Sequence, residues 1–250
     1  MCVFVNLRTL NKARNMKNMI IASTSTLHGG SYLEYILAEL ELHFRGCKSI
    51  IFVPYARPGG ITHQVYTDKV KEVFSRINIV VNGIHEFETP VSAIKEAEGI
   101  FIGGGNTFLL VSKLYENCLM TEIAAAVKKG VPYFGTSAGS NITGMSMQTT
   151  NDMPIIYPPT FQTLGLIPFN INPHYLDPDP DSKHMGETRE MRIKEFHEFN
   201  SLAVVGLREG SWLDVKGDII LLKGHLNARL FRQYHSPIEI ESGYELSLLE

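Results

Sequence analysis

Cysteine is scarce in this chain: Cys2, Cys47 and Cys118 are the only three in 250 residues. They are too few and too scattered for a disulfide framework or a zinc cluster, so no metal is expected and a reducing cytoplasm is the expected compartment. A basic excess is also missing, with 23 Lys and Arg against 26 Asp and Glu and a net charge of −3. That balance argues against a nucleic acid or a membrane surface as partner, because binding phosphate needs cations in excess. No stretch approaches the roughly 18 uninterrupted apolar residues of a membrane span. Neither G-x-G-x-x-G nor G-x-x-x-x-G-K-S/T occurs, which removes the usual loops for a nucleotide cofactor. The first 19 residues, MCVFVNLRTLNKARNMKNM, lack the apolar core and cleavage site of a signal peptide. Residues 1–18 read as an N-terminal extension, with Met16 or Met19 as alternative starts, ahead of one α/β domain over 19–250. What these absences leave is a globular protein acting on something small.

What is present is an alternation of β-branched apolar runs with segments of helical period, the pattern of a mostly parallel sheet covered by helices on both faces. MIIAS, SIIFVP, NIVVN, GIFIGG and VPYFGT supply five strands. Helices are expected near Gln64–Arg76, Val91–Ala97 and Thr107–Lys129, and over GGSYLEYILAELELHFRG, where Leu33, Ile36, Leu37, Leu40 and Phe44 share one face. In that helix Ser31 and Glu34 form a capping box and Gly46 a stop. After Asn141 the texture changes to a segment with seven prolines between Asn151 and Ser182 and no helical period. Helix returns in GETREMRIKEFHEF, and short strands in LAVVGL, SWLDV, DIILL and ARLFRQY make a β-rich C-terminal part.

Ligands of open α/β sheets bind outside the carboxyl ends of the strands. Two loops belong there, GGGNT (Gly103–Thr107) and GTSAGS (Gly135–Ser140). The second fits G-x-S-x-G, which sets a serine on a tight strand-to-helix turn with its hydroxyl exposed. Ser137 as a nucleophile needs a base, a group orienting that base, and donors for an oxyanion. Among nine histidines, His174 stands apart because it follows a short strand and a proline. His28, His43, His63, His85, His184, His197, His225 and His235 fall in helices or surface-type loops. The orienting acid is either Asp152, in TTNDMPI, or Glu209, in LREGSW. The glycine loop serves as oxyanion hole, the Gly105 amide joining that of Ala138.

GGGNT, GTSAGSN, TTNDMPI, INPH, GETREMRI and GLREGSW, in this order, resemble the peptidase E family of α-aspartyl dipeptidases over about Ile20 to Trp212. The resemblance implies a flavodoxin-like fold related to class I glutamine amidotransferases. It implies a serine hydrolase cleaving dipeptides with an N-terminal L-aspartate, without metal or cofactor. It places the nucleophile on Ser137 and the base on His174, and leaves both Asp152 and Glu209 for the third member. Thr136 stands where some relatives have tryptophan. Recognition of an aspartyl carboxylate requires a cation, for which Arg189 is the candidate, with Asn106 and Thr107 adding hydrogen bonds from the rim. Rival readings are a cyanophycinase-like β-aspartyl-arginine hydrolase, an α/β-hydrolase esterase with His225 or His235 as base, and a non-catalytic binding protein on the same scaffold. A monomer and a homodimer are both left open.

Overall fold

The computed structural model describes residues 16–179, 181 and 186–249. Cys2, His184 and most of the expected N-terminal extension lie outside them. Five short apolar runs form β1 (Asn18–Ala22), β2 (Ser49–Val53), β3 (Val80–Gly83), β4 (Ile100–Ile102) and β5 (Tyr133–Thr136). They pair in parallel, in the order β3-β2-β4-β5-β1. These strands are buried on both faces, which is why they read as continuous apolar runs. In β1, Ile20 and Ala22 point to one layer while Met19 and Ile21 point to the other.

The first layer holds α1 (Leu37–His43) and α2 (His63–Ser75), which cover the sheet with Leu40, Tyr66, Val70 and Phe74. The second holds α3 (Pro90–Lys95), α4 (Thr107–Glu116) and α5 (Leu119–Lys128). Each fully buried Ile, Leu or Phe contributes about 1.5–3 kcal/mol, so the two layers are the main source of stability.

Two local expectations are corrected. The capping box of Ser31 and Glu34 does not form: Leu33 occupies the N-cap in a left-handed conformation (φ 58°), and a 3-10 turn over Glu34–Ile36 precedes α1. The Glu34 amide that the box would use donates to the Ser31 carbonyl at 3.3 Å rather than to its hydroxyl, and the Leu33 amide is held by the Ser25 carbonyl at 2.8 Å. The helix expected over Thr107–Lys129 is two helices, because Cys118 adopts φ 56° and turns the chain between α4 and α5.

The β-rich tail divides between two sheets. β8 (Ser211–Lys216) pairs antiparallel with β1, and β9 (Ile219–Gly224) pairs with β8, extending the main sheet to seven strands. The second sheet has the order β11-β10-β7-β6, from β6 (Asn170–Pro173), β7 (Val204–Leu207), β10 (Ala228–Phe231) and β11 (Ile238–Ile240). One apolar cluster, with Ile171, Val205 and Leu230 beside Met19 and Ile21, joins the two sheets. This arrangement brings the ends of β6 and β7 beside the ends of β5 and β1.

His43 gives the fold an acid-sensitive point. Its Nε2–H donates to the Tyr133 carbonyl at 3.0 Å, while its Nδ1 is buried without a partner among the described residues. Burial, aided by nearby Lys216, pushes its pKa down to about 3. The unfolded chain binds this proton from about pH 6.5 downward and the folded chain does not. Its contribution is therefore complete above pH 6.5 and is lost as the pH falls towards 3, at up to about 1.4 kcal/mol per pH unit. Denaturant melts of wild type and His43→Leu between pH 7 and 4 should show a shallower acid-side loss in the variant.

Candidate active site

Ser137 sits between β5 and a single helical turn, α6 (Ala138–Asn141), with φ 54° and ψ −111°. Non-glycine residues avoid this region, so the surroundings must hold it there. The flanking glycines allow the close packing that does so. A Cβ on Gly135 would lie 2.6 Å from the Gly139 carbonyl oxygen, and one on Gly139 would lie 2.2 Å from that of Ile102. Hydrogen bonds lock the turn: Ser140 Oγ donates to the carbonyls of Ala22 (2.6 Å) and Gly135 (2.8 Å), and the Tyr133 hydroxyl to that of Gly139 (2.6 Å).

His174 also has a positive φ, 53°, directly after β6. Its amide donates to Ser23 Oγ at 2.8 Å, and the Ser23 hydroxyl donates to the Leu207 carbonyl at 2.6 Å. Ser23 is fully buried and ties the end of β1 to the ends of β6 and β7. The imidazole Nδ1 is 2.6 Å from Glu209 Oε1, and Nε2 is 2.9 Å from Ser137 Oγ. A carboxylate only accepts, so the ring proton is assigned to Nδ1, leaving Nε2 to receive the serine proton. The side chains of His174 and Glu209 are 33% and 43% exposed, open enough for a small substrate to reach them.

Asp152 lies apart from this chain of hydrogen bonds. Its Oδ2 accepts from the Thr107 amide (2.7 Å), the Thr107 hydroxyl (2.6 Å) and the Thr150 hydroxyl (3.0 Å), at the start of α4. Negative charge is favoured there by the helix dipole. Both Thr107 donors are thereby used within the protein. Asn106 is similarly engaged, with Oδ1 capping the Leu109 amide at 3.0 Å and Nδ2 donating to the Met153 carbonyl at 2.9 Å.

The glycine loop meets the serine as its position at the strand ends suggests. A Cβ on Gly104 would stand 2.8 Å from that of Ser137. Gly105 has φ 147°, and a Cβ there would lie 2.2 Å from the Ala56 carbonyl oxygen. Among the described residues, no protein acceptor takes the amides of Gly104, Gly105 or Ala138, whereas Gly103 and Asn106 donate to Val53 and Ala56. Thr136 is fully buried, and its hydroxyl finds no partner among the described residues.

Arg189 opens α7 (Arg189–Phe199) and is partly buried. Burial and the neighbouring Arg192 lower its pKa, while Asp152 and Glu209 pull it back up. Arg208, just before Glu209, binds Asp177 and Glu239 with four contacts of 2.8–2.9 Å and packs over the Tyr175 ring. It clamps the segment after His174 to the turn that carries Glu209.

Several supports escape sequence patterns. Asn170 Oδ1 accepts from the amides of Met145 and Ser146, and Asn172 Nδ2 donates to the Thr149 carbonyl and to Asn151 Oδ1. These β6 asparagines pin the segment that carries Asp152. Asparagine on the buried face of a strand was the available signal, since a buried amide must find partners.

A family model for peptidase family S51 matches residues 19–223. The chain belongs to peptidase family S51. It is 48% identical to a peptidase E of Streptomyces coelicolor, covering 93% of this chain and 94% of that one. It is 45% identical to a Drosophila melanogaster protein named "Probable alpha-aspartyl dipeptidase", covering 93% and 97%. The fold is shared with a solved peptidase from an acI-B1 Actinobacterium, with a TM-score of 0.69 at 14% identity over 93% of this chain and 97% of that one. The S51 match includes both rim loops, Asp152, His174, Arg189 and Glu209. No helix among the described residues is long and apolar enough to cross a membrane.

Proposed function

We propose that this S51 peptidase is a cytoplasmic serine-type dipeptidase that hydrolyses dipeptides with an N-terminal L-aspartate. The observation that carries the reading is the continuous relay from Ser137 Oγ through His174 to Glu209, at 2.9 and 2.6 Å. Ser137 Oγ attacks the aspartyl carbonyl carbon as its proton passes to His174 Nε2. Glu209 accepts the Nδ1–H bond, fixes the ring and stabilises the imidazolium. The negative charge on the carbonyl oxygen is met by the Gly105 and Ala138 amides, which have no competing acceptor among the described residues. His174 returns the proton to the leaving amine as the C–N bond breaks. Water, deprotonated by His174, then attacks the aspartyl-serine ester and releases aspartate.

Arg189 takes the aspartyl side-chain carboxylate, because a carboxylate taken out of water needs a charged, hydrogen-bonding partner. The Asp152 carboxylate, at the head of α4, is suited to the free α-ammonium that an N-terminal residue carries. Asn106 and Thr107 act by holding that corner together.

Hydrolysis of Asp-Leu, Glu-Leu, Asn-Leu and a β-Asp-Arg dipeptide by wild type and Ser137→Ala tests the reading. Cleavage confined to Asp-Leu and lost in the variant is the expected result. Cleavage of β-Asp-Arg alone would replace it with the cyanophycin-type activity, and cleavage of none with a binding role.

A further inference from the structure

A dipeptide that begins with aspartate carries two carboxylates, on the side chain and at the C-terminus. If Arg189 receives the first, the second needs its own cation. Among the described residues, the segments between the carboxyl ends of β1 to β5 and the helical turns that follow contain a single Arg or Lys, Arg57. Beyond those segments, Arg208 is committed to Asp177 and Glu239, and Arg192, beside Arg189, faces Glu187 at 3.5 Å.

Arg57 is tied to the serine by a short series of contacts. It follows Ala56, whose carbonyl accepts the Asn106 amide at 2.7 Å and abuts Gly105. Its guanidinium lies 5.1 Å from the centre of the Tyr66 ring, and the Tyr66 hydroxyl reaches the Gly104 carbonyl at 3.4 Å. Gly104 in turn packs against Ser137. Tyr66 is buried while Arg57 is exposed, so the ring fixes the guanidinium at the rim without neutralising it. No carboxylate among the described residues pairs with it. Lys69, over the adjoining Tyr32 ring at 4.4 Å, adds positive potential to the same corner.

We infer that Arg57 binds the free C-terminal carboxylate of the dipeptide and so makes the enzyme selective for a leaving group one residue long. This rests on the dipeptidase reading above and adds the recognition of the leaving residue. A tripeptide, or a dipeptide amide, places a neutral group where the guanidinium expects an anion, and binding of the charged group is what it loses.

The test measures kcat/KM for Asp-Leu and Asp-Leu-amide with wild type, Arg57→Gln and Arg57→Lys. A charge-assisted hydrogen bond corresponds to about tenfold or more. Wild type should prefer Asp-Leu by at least that factor. Arg57→Gln should lose the preference by slowing Asp-Leu alone, with the amide changed by less than about twofold, and Arg57→Lys should recover part of it. Equal losses on both substrates would assign Arg57 to the aspartyl side or to the loop, and no loss on either would remove it from the site; each overturns the inference while leaving the dipeptidase intact. Failure of wild type to cleave either substrate would overturn both.

Discussion

Glu209→Gln should lower kcat for Asp-Leu by about 10² to 10⁴-fold while changing KM by less than about threefold, because the lost interaction strengthens only as the imidazolium forms. Part-exposure of the pair lets water screen the charge and favours the lower half of that range. Asp152→Asn should act differently. Its Oδ2 holds the Thr107 amide and two hydroxyls at the head of α4, and none of its contacts reaches His174. The expected change is a raised KM for Asp-Leu with a smaller loss in kcat, together with about 1 kcal/mol of stability lost at the helix N-terminus. Steady-state kinetics on both variants separate the two acids. The reverse pattern would make Asp152 the orienting residue and leave the 2.6 Å contact of Glu209 without a catalytic role.

Gly105→Ala should cost nearly as much, although it adds one methyl group. At φ 147° the new Cβ is strained, and it would lie 2.2 Å from the Ala56 carbonyl oxygen, which is rigid backbone. Relief requires residues 103–106 to move off Ala56, and that movement takes the Gly104 and Gly105 amides away from Ser137. Loss of one oxyanion donor lowers kcat by about 10² to 10³-fold. Positive φ and overlap also destabilise the fold by about 1–3 kcal/mol. A melting curve confirming that the variant is folded, read beside kcat, distinguishes a displaced loop from an unfolded chain. Retention of near wild-type kcat would exclude this amide from the oxyanion site.

The strands and the serine turn are legible in the sequence because their causes are local. Five β-branched runs alternate with helical periods, and Gly135 and Gly139 bracket Ser137 because both sit where a side chain would strike backbone. The capping box at Ser31 misleads because Leu33 turns left-handed and the Glu34 amide closes on the Ser31 carbonyl rather than on its hydroxyl, a backbone choice that the residue types do not reveal. The break at Cys118 is equally silent, since a positive φ at a cysteine has no sequence signature. The tail reads as strands without revealing partners, and only tertiary pairing sends β8 and β9 to β1 while β7 and β10 join β6. The choice between Asp152 and Glu209 is of the same kind. Both are plausible in the chain, and only the approach of the β7–β8 turn to the end of β6 brings one of them to His174.

On the mechanism proposed above, the relay makes Ser137 a nucleophile. The most direct measurement is reaction of the folded protein with a fluorophosphonate, followed by mass mapping of the adduct in wild type and His174→Ala. One adduct per chain is expected, on Ser137, formed at least about 10³-fold more slowly without the histidine. An enzyme that cleaves Asp-Leu yet carries no adduct, or carries it on another residue, would contradict it.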